Sequence, residues 1–374
     1  MAGKRLHSTS IAPDRFRRRI LSSLAALPAA SFLGGCGGGS SGAGPVAPAT
    51  RTWRMGFFPT PPRLDTALVL QGVDLMSERA EFLHLQQELP WTDLLSGTSA
   101  DALVDRDWAQ LVAYARGKGL RIGFCAELND GLSRAEEAPQ LRALGRSIAE
   151  PAVQQAYRSY VLSVAGRLQP DYLGLAAETN LVRAAAPPAL YAAVKQAANL
   201  AAADLAASAS TSTPMISVQV EVAWGVFGAT GPFAGIDADF ADFPFLRTLG
   251  LSSYPYFGFT QPEDLPADYY SRLLGGSDVP VLVSEGGWTS ASVGSIASSP
   301  DAQARYLTRQ AMLLDSVRAT AVVQTLFADL DLASLPAPIP ANLPLFAALG
   351  ISDSNFRAKP AQSVWDGLFA RRLA

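Results

Sequence analysis

The stretch from Val279 to Ser290 reads VPVLVSEGGWTS and is the part of the sequence that decides the fold prediction. The apolar run Val281 to Val283 is typical of a strand that is buried on both faces, as in a parallel sheet. Glu285 stands at the end of this strand, where Gly286-Gly287 stops it. A buried carboxylate is expensive to desolvate, so it needs either a function or a structural partner such as an arginine. In parallel α/β folds this edge of the sheet is where ligands bind.

A second stretch, Pro170 to Asn180, reads PDYLGLAAETN and repeats the pattern. A proline precedes a short apolar run, and Glu178 follows at its end. Retaining glycoside hydrolysis requires two such acids, one to protonate the leaving oxygen and one to attack the sugar, with carboxyl groups about 5 Å apart. On a barrel, strands that are distant in sequence can bring their ends that close, so Glu178 and Glu285 are the candidate catalytic pair.

Composition limits the classes of protein to which this chain can belong. The chain has 374 residues, of which 49% are hydrophobic and 17% charged, and its net charge is −3. This length allows two average domains or one large α/β barrel with a substantial core. No basic block follows the N-terminal segment, which argues against nucleic-acid binding through phosphate neutralisation.

The N-terminal segment has the pattern of an export signal. Basic residues lie between Lys4 and Arg19, and the apolar stretch Ile20 to Leu33 that follows is too short to span a bilayer as a stable helix. Leu33-Gly34-Gly35-Cys36 resembles the lipobox of bacterial lipoproteins, in which the cysteine is lipidated. An ordinary signal peptide followed by a chance cysteine is the alternative.

This pattern predicts three segments: a lipoprotein signal peptide over 1–35, a Gly/Ser/Pro tether over 36–50 and a catalytic domain over 51–374. Lipidation at Cys36 predicts an extracytoplasmic bacterial protein that contacts the membrane through its lipid anchor only. We expect a monomer with a carbohydrate substrate and no nucleic-acid partner.

Cysteine and histidine usage excludes several chemistries. If Cys36 is lipidated, Cys125 has no partner within the chain, so there is no disulfide framework. His7 and His84 are the two histidines, which argues against a His-rich metal site and against a Ser-His-Asp triad. No phosphate-binding glycine-rich loop stands out. The sequence therefore predicts no cofactor and no metal.

Strand and helix patterns alternate after the tether. The strand candidates are Trp53–Pro59, Arg79–Gln86, Leu120–Glu127, Asp171–Glu178, Met215–Val222, Leu249–Tyr254, Val279–Glu285 and Ala321–Phe327. The helix candidates are Trp108–Lys118, Ala152–Leu168, Pro188–Ala209, Ala267–Leu274, Pro300–Arg318 and Pro360–Arg372. Alternation of this kind indicates a parallel sheet. We predict a single (β/α)8 TIM barrel, with an open doubly wound sheet as the alternative.

In this order of elements the chain resembles the clan A glycoside hydrolases, (β/α)8 barrels with an acid/base Glu ending the fourth strand and a nucleophile Glu ending the seventh. The resemblance implies that Glu178 is the acid/base and Glu285 the nucleophile. Leu249 to Phe259, LGLSSYPYFGF, is similar to the sixth-strand Ser-Tyr-Tyr-Pro motif of the endo-β-1,4-galactanase (arabinogalactanase) group. VPVLVSEGGWTS is similar to the seventh-strand Glu-Thr-Gly-Trp motif of the same group. The resemblance implies a retaining hydrolase that cleaves β-glycosidic bonds of a polysaccharide or oligosaccharide by double displacement.

Polar and aromatic residues near the strand ends are the candidate substrate contacts. The Tyr254 hydroxyl is predicted to hold Glu285 ionised, and Trp288 to offer a ring on which a sugar stacks. Strand alternation places His84 on the same face as Gln86, and Gln219 on the same face as Glu221. The full set of candidates is Tyr254, Trp288, His84, Gln219, Glu221 and Asn180. Each of them could instead be a buried core residue with structural hydrogen bonds.

Two other functions stay open. Ala177 precedes the acid/base Glu, where the galactanase group has an Asn that binds the sugar 2-hydroxyl. This difference leaves room for a non-catalytic carbohydrate-binding lipoprotein built on a glycosidase barrel. A transglycosylase that uses the same two glutamates is the other alternative.

Overall fold

The computed structural model describes residues 50–227 and 230–374. The predicted signal peptide and Cys36 lie outside the described residues. Eight parallel strands close into a barrel in sequential order, which confirms the (β/α)8 TIM barrel and excludes the open sheet. The strands are β1 (Arg54–Phe57), β2 (Phe82–Glu88), β3 (Arg121–Glu127), β4 (Tyr172–Ala176), β5 (Thr213–Gln219), β6 (Thr248–Ser253), β7 (Val281–Gly286) and β8 (Ala319–Gln324).

Helices surround the barrel. They are α1 (Thr66–Ser77), α2 (Trp91–Leu95), α3 (Ala100–Val104), α4 (Gln110–Gly117), α5 (Pro139–Ala143), α6 (Pro151–Leu168), α7 (Thr179–Ala185), α8 (Pro188–Ala207), α9 (Val220–Ala223), α10 (Asp237–Asp242), α11 (Pro300–Asp315) and α12 (Pro360–Phe369). A π-helical turn, Asp105–Ala109, joins α3 to α4. Short parallel strands Thr50–Arg51 and Arg372–Leu373 pair the two ends of the described chain. Within the part of the chain that the structure describes, no helix is long and apolar enough to cross a bilayer.

The apolar run of β7 is buried on both faces, as its sequence predicted. Val281 and Val283 belong to the large core between strands and helices. Leu282 points the other way, into a smaller cluster with Phe82 of β2 and Met215 of β5. Because these residues come from strands on different sides of the barrel, this cluster fills the barrel interior. Alternation along β7 thus places side chains both in the core between strands and helices and in the barrel interior.

Several predicted boundaries were wrong. The Met215–Val222 strand ends at Gln219, because its pairing with β6 stops at Ser252, and the next residues form α9. The predicted helix Ala267–Leu274 contains only the 3-10 turn Ser271–Leu274. Helix α1 was missed, although Asp65 caps it by accepting a hydrogen bond from the Ala67 backbone, a signal present in the sequence.

Gly286, next to Glu285, allows β6 and β7 to approach closely. A Cβ atom at Gly286 would lie 2.3 Å from the Ser253 backbone oxygen, and a backbone atom in a strand pair cannot move aside. We therefore expect Gly286→Ala to lower the free energy of unfolding by about 3 kcal/mol or more. Gly117→Ala is the matched control, because a Cβ there meets nothing within 4 Å. Urea unfolding that gave the two variants equal stability would contradict this account.

Candidate active site

Glu178 lies directly beyond β4, at the start of α7, with a positive φ of 49°. This conformation is uncommon for a residue other than glycine and is typical of functional positions. Its backbone N–H donates to Ser217 Oγ at 2.9 Å, which anchors the turn to β5. Its buried carboxylate accepts from Ser252 Oγ at 2.5 Å on Oε1, and from Arg134 Nε at 2.8 Å on Oε2. Both oxygens of Glu178 therefore have a donor.

Glu285 lies near the end of β7 and is fully buried. Gln86 Nε2 donates to its Oε2 at 3.0 Å, while its Oε1 has no hydrogen-bond partner. Burial raises the pKa of Glu285 well above its usual range, and the charge of Glu178 raises it further, while Arg134 opposes both effects.

Ser252, on β6, links the two carboxyl groups. Its hydroxyl group donates to Glu178 Oε1 at 2.5 Å, and in the parallel pairing of β6 with β7 Ser252 lies beside Glu285. The barrel thus brings together the two acids that the sequence singled out.

A third acid and a buried arginine complete the cluster, and the sequence analysis gave no catalytic role to either. Glu127 ends β3, and Gln86 Nε2 donates to its Oε1 at 3.0 Å as well as to Glu285. Arg134, in the loop after β3, places Nη2 2.9 Å from Glu127 Oε1, an ion pair without hydrogen-bond geometry. Burial lowers the pKa of Arg134, but Glu127 and Glu178 outweigh it, so the guanidinium stays charged. In the sequence, the one feature that could have pointed to a site role for Arg134 is its position after the end of a predicted strand.

Tyr254 lies beside this cluster, but its hydroxyl group does not bond to Glu285 as predicted. It is 3.0 Å from Thr325 Oγ1, which accepts from the Gly286 backbone N–H at 2.7 Å. The donor to Glu285 is Gln86, from β2 across the barrel. The prediction failed because a side chain from another strand reached the carboxylate, which sequence spacing does not reveal.

Trp288 offers no open ring face for sugar stacking. Its side chain is 1% exposed and packs against Tyr256 and Tyr306. Its Nε1 donates to Ser298 Oγ at 3.0 Å. The position past the strand end is as predicted, but the chain beyond β7 folds the indole into the core rather than toward a ligand.

Asn180 and Gln219 join the ends of β4 and β5. Asn180 Nδ2 donates to Gln219 O at 2.8 Å, and the Gln219 N–H donates back to Asn180 Oδ1 at 2.7 Å. Asn180 is therefore engaged by the backbone, whereas Gln219 Oε1 is buried without a hydrogen-bond partner. Of the two, Gln219 retains an acceptor that could meet a substrate hydroxyl.

His84 lines the barrel interior. Its ring packs against Phe58 and Phe82, and it is fully buried. Burial lowers the pKa of His84 to about 4, with a partial offset by Gln86, so the ring is neutral near pH 7. Gln86, two residues further along β2, is the one that reaches the glutamates.

Glu221 lies on α9, and not on the strand face that Gln219 occupies. Tyr269 donates its hydroxyl hydrogen to Glu221 Oε1 at 2.6 Å, and Oε2 has no hydrogen-bond partner. Burial raises the pKa of Glu221 to about 7. This carboxyl group therefore titrates in the physiological range.

The raised pKa of Glu221 predicts a pH-dependent stability. The folded state favours the protonated form, so the stabilisation is present below the unfolded pKa and is lost as pH rises through about 7. Glu221→Gln resembles the protonated form and cannot ionise. We expect the free energy of unfolding of this variant, relative to wild type, to rise by roughly 2–3 kcal/mol between pH 4 and pH 8.

Urea unfolding across this pH range measures the effect, with Glu263→Gln as the control because Glu263 is exposed. A difference between Glu221→Gln and wild type that did not change with pH would show that Glu221 is not the titrating group.

Metal binding has no support in this region. Within residues 50–227 and 230–374, no three His, Cys, Asp or Glu side chains are grouped so that they could hold a metal ion. The chemistry of the cluster rests on carboxyl, amide, hydroxyl and guanidinium groups.

Comparison with solved structures places the barrel among glycoside hydrolase folds. The chain is similar to an exo-β-1,4-mannosidase from Opitutaceae bacterium strain TAV5, with TM-score 0.64 and 15% identity over 86% of this chain, and it spans 60% of that enzyme. It is also similar to a GH5_18 protein from Streptomyces cattleya in complex with GlcNAc, with TM-score 0.62 and 15% identity over 86% of this chain and 80% of that one. Xylanase 10B from Thermotoga petrophila RKU-1 aligns with TM-score 0.53 and 12% identity over 86% of this chain and 95% of that one.

At these identities the likeness defines the fold. No protein-family model and no curated protein sequence matches the chain. The chain is a (β/α)8 barrel of the architecture that these clan A glycoside hydrolases share.

Proposed function

We propose that the protein is a retaining β-glycosidase in which Glu285 is the nucleophile and Glu178 the acid/base. The observation that carries this proposal is that Ser252 joins the two glutamates at the ends of β4 and β7, because its hydroxyl group donates to Glu178 while Ser252 pairs with Glu285 between β6 and β7. Two carboxyl groups that are close enough to share a neighbour favour double displacement, because an inverting enzyme must leave room for a water molecule between them.

The unpartnered Oε1 of Glu285 is suited to attack the anomeric carbon. Glu178 donates a proton to the departing oxygen, and a glycosyl–Glu285 ester forms. Glu178 then takes a proton from water, which attacks the ester and releases the sugar with its configuration retained.

This reaction requires a particular distribution of protons. Glu178 must be protonated and Glu285 ionised when the glycosidic bond breaks. In the structure Glu178 is ion-paired with Arg134, and burial raises the pKa of Glu285. Catalysis by Glu178 in its protonated form therefore gives up the ion pair with Arg134.

The motif similarity of β6 and β7 supports a β-galactan or a related β-linked polymer as the substrate within this proposal. Cys36 and the basic and apolar segments before it support a lipid-anchored, extracytoplasmic location.

A carbohydrate-binding protein without turnover is the second candidate. Both oxygens of Glu178 already accept hydrogen bonds, and both glutamates are fully buried. A site that never opened would bind or pack rather than catalyse. A transglycosylase would use the same two acids and would differ in the acceptor that attacks the ester.

Covalent trapping separates the glycosidase from the binding protein, whereas a transglycosylase would form the same adduct. The protein is incubated with activated 2-deoxy-2-fluoro glycosides of galactose, glucose and mannose, and its intact mass is measured. We expect one added sugar on wild type, mapping to the peptide that contains Glu285, and none on Glu285→Gln. The absence of any adduct, together with no release of reducing ends from a polysaccharide panel, would favour the binding protein.

A further inference from the structure

The two glutamates of the proposed mechanism are closed off from solvent in this structure. Glu178 and Glu285 are 0% exposed, and so is Glu127 beside them. A sugar must touch both catalytic glutamates before either can act on it. The proposed function therefore requires a part of the protein to move and admit the substrate.

The loop over residues 129–137, which we call the β3 loop, covers this cluster. The residues on either side of Arg134 are partly exposed, whereas the Arg134 side chain is 1% exposed, so it points inward from a surface loop. Its Nε lies 2.8 Å from Glu178 Oε2 and its Nη2 2.9 Å from Glu127 Oε1. The β3 loop thus places a cation between two of the buried acids.

The contact of Arg134 with Glu127 is an imperfect ion pair. It lacks hydrogen-bond geometry, and among the described residues neither Arg134 Nη2 nor Glu127 Oε2 has a hydrogen-bond partner. Burying two charges is costly, and their attraction offsets this cost only when the remaining donors and acceptors are satisfied. Opening the loop would return the guanidinium to water and let water reach the acids. The ion pair therefore does not lock the loop in its closed position.

The β3 loop is bonded to itself and can move as one unit. Its ends meet in an antiparallel bridge between Asn129 and Glu137. Within the loop, Asp130 Oδ1 accepts from the backbone N–H groups of Leu132 at 2.8 Å and Ser133 at 3.2 Å. Compact surface loops whose ends lie close together are often functional, and loops that open and close gate many active sites.

A hydrogen bond outside the acid cluster ties the tip of the β3 loop to another part of the barrel end. Asn342 Nδ2 donates to Leu132 O at 2.9 Å. Asn342 follows β8, and strands β1 and β2 lie between β8 and β3 in the barrel, so this bond spans the end at which the glutamates lie. Together with the Arg134 contacts, it holds the loop tip in the closed position.

We propose that the β3 loop is a gate over the active site, closed in this structure, and that its opening carries Arg134 away from Glu178 and Glu127 and admits the substrate. This inference rests on the proposed function, since it concerns access to the same glutamates. The closed form excludes the sugar, so kcat/KM is proportional to the fraction of molecules that are open.

The first test weakens the gate without changing the acid cluster. Asn342→Ala removes one hydrogen bond of the closed form, so we expect kcat/KM for a 4-nitrophenyl β-glycoside to rise by about two- to tenfold. Asn199→Ala is the matched control, because Asn199 Nδ2 also donates to backbone oxygen atoms at 2.9 Å but lies on α8. This control should keep the wild-type kcat/KM.

Cleavage by trypsin measures the opening without a sugar. Trypsin takes the arginine side chain into its own pocket, so it can cut the Arg134–Ala135 bond only where the β3 loop has opened. Cleavage of the native protein at this bond, mapped by mass spectrometry, should be faster in Asn342→Ala by the same factor as kcat/KM. Asn199→Ala should be cut at the wild-type rate, which controls for cleavage through global unfolding.

The outcomes separate the gate from the proposed function. An unchanged cleavage rate at Arg134 in Asn342→Ala, or an equal increase in Asn199→Ala, overturns the gate while the glycosidase proposal stands. Faster cleavage without a rise in kcat/KM also overturns it, because opening would then not control access. No turnover of any glycoside, together with no covalent adduct on Glu285, overturns the proposed function, whereas the cleavage rates still decide whether the loop opens.

Discussion

Glu285→Gly is expected to lose turnover of an activated aryl β-glycoside by about 10⁴- to 10⁶-fold, the scale seen when a catalytic nucleophile is removed. The glycosyl-enzyme ester cannot form without the carboxylate, and no other oxygen occupies the position of Glu285 Oε1. Added azide should restore part of the rate, because a small anion fits the space left by the side chain. The product should be the α-glycosyl azide, since one displacement inverts the configuration. NMR of the products over time measures both the rate that azide restores and the configuration of the glycosyl azide.

Glu127→Gly is the control for this experiment, because Glu127 shares the Gln86 amide with Glu285 and lies in the same buried cluster. It should show no azide rescue. Rescue of Glu127→Gly but not of Glu285→Gly would move the nucleophile from β7 to β3. Thermal unfolding of each variant checks that the barrel has formed.

Glu178→Ala is expected to affect substrates according to their leaving groups. Glycosides with a poor leaving group need the proton and should lose about 10²- to 10⁴-fold in kcat/KM, the usual contribution of a general acid. A dinitrophenyl glycoside needs no proton, so its first step should change little and the glycosyl-enzyme should accumulate. Azide should then release the β-glycosyl azide, because the second displacement restores the configuration.

Glu263→Ala is the control for Glu178→Ala, because Glu263 is an exposed acid that pairs with Arg305, and it should change kcat/KM little with either class of leaving group. An equal loss for good and poor leaving groups would show that Glu178 does not act as the acid.

Local patterns in the sequence were sufficient for the architecture. The apolar run at Val281–Val283 specified a strand buried on both faces, and its alternation divided these residues between the inner and outer cores. Eight such runs separated by helical patterns indicated a parallel sheet, and the structure shows that this sheet closes into a barrel. Strand order then placed Glu178 and Glu285 at one end, because all strands of a parallel barrel point the same way.

Residue roles that depend on neighbours from other strands could not be predicted. Tyr254 and Trp288 lie where their motifs predicted. The Tyr254 hydroxyl group, however, bonds to Thr325, and Trp288 Nε1 donates to Ser298. Glu221 left the β5 face because strand pairing ended at Gln219, although its β-branched neighbours favoured a strand. Short-range sequence patterns do not reveal such partners, since hydrogen bonds at a barrel end join residues that are far apart in the chain.

The sequence by itself predicted eight parallel strands, favoured a barrel over an open sheet, and singled out the two acids at the ends of β4 and β7. The tertiary structure alone decided what surrounds those acids. It supplied Gln86 from β2, Ser252 from β6, and Arg134, which lies against Glu178 and Glu127. The reason is physical: periodicity of apolar residues fixes which side of an element is buried, whereas the charge balance of a buried site depends on side chains that meet only when the barrel closes.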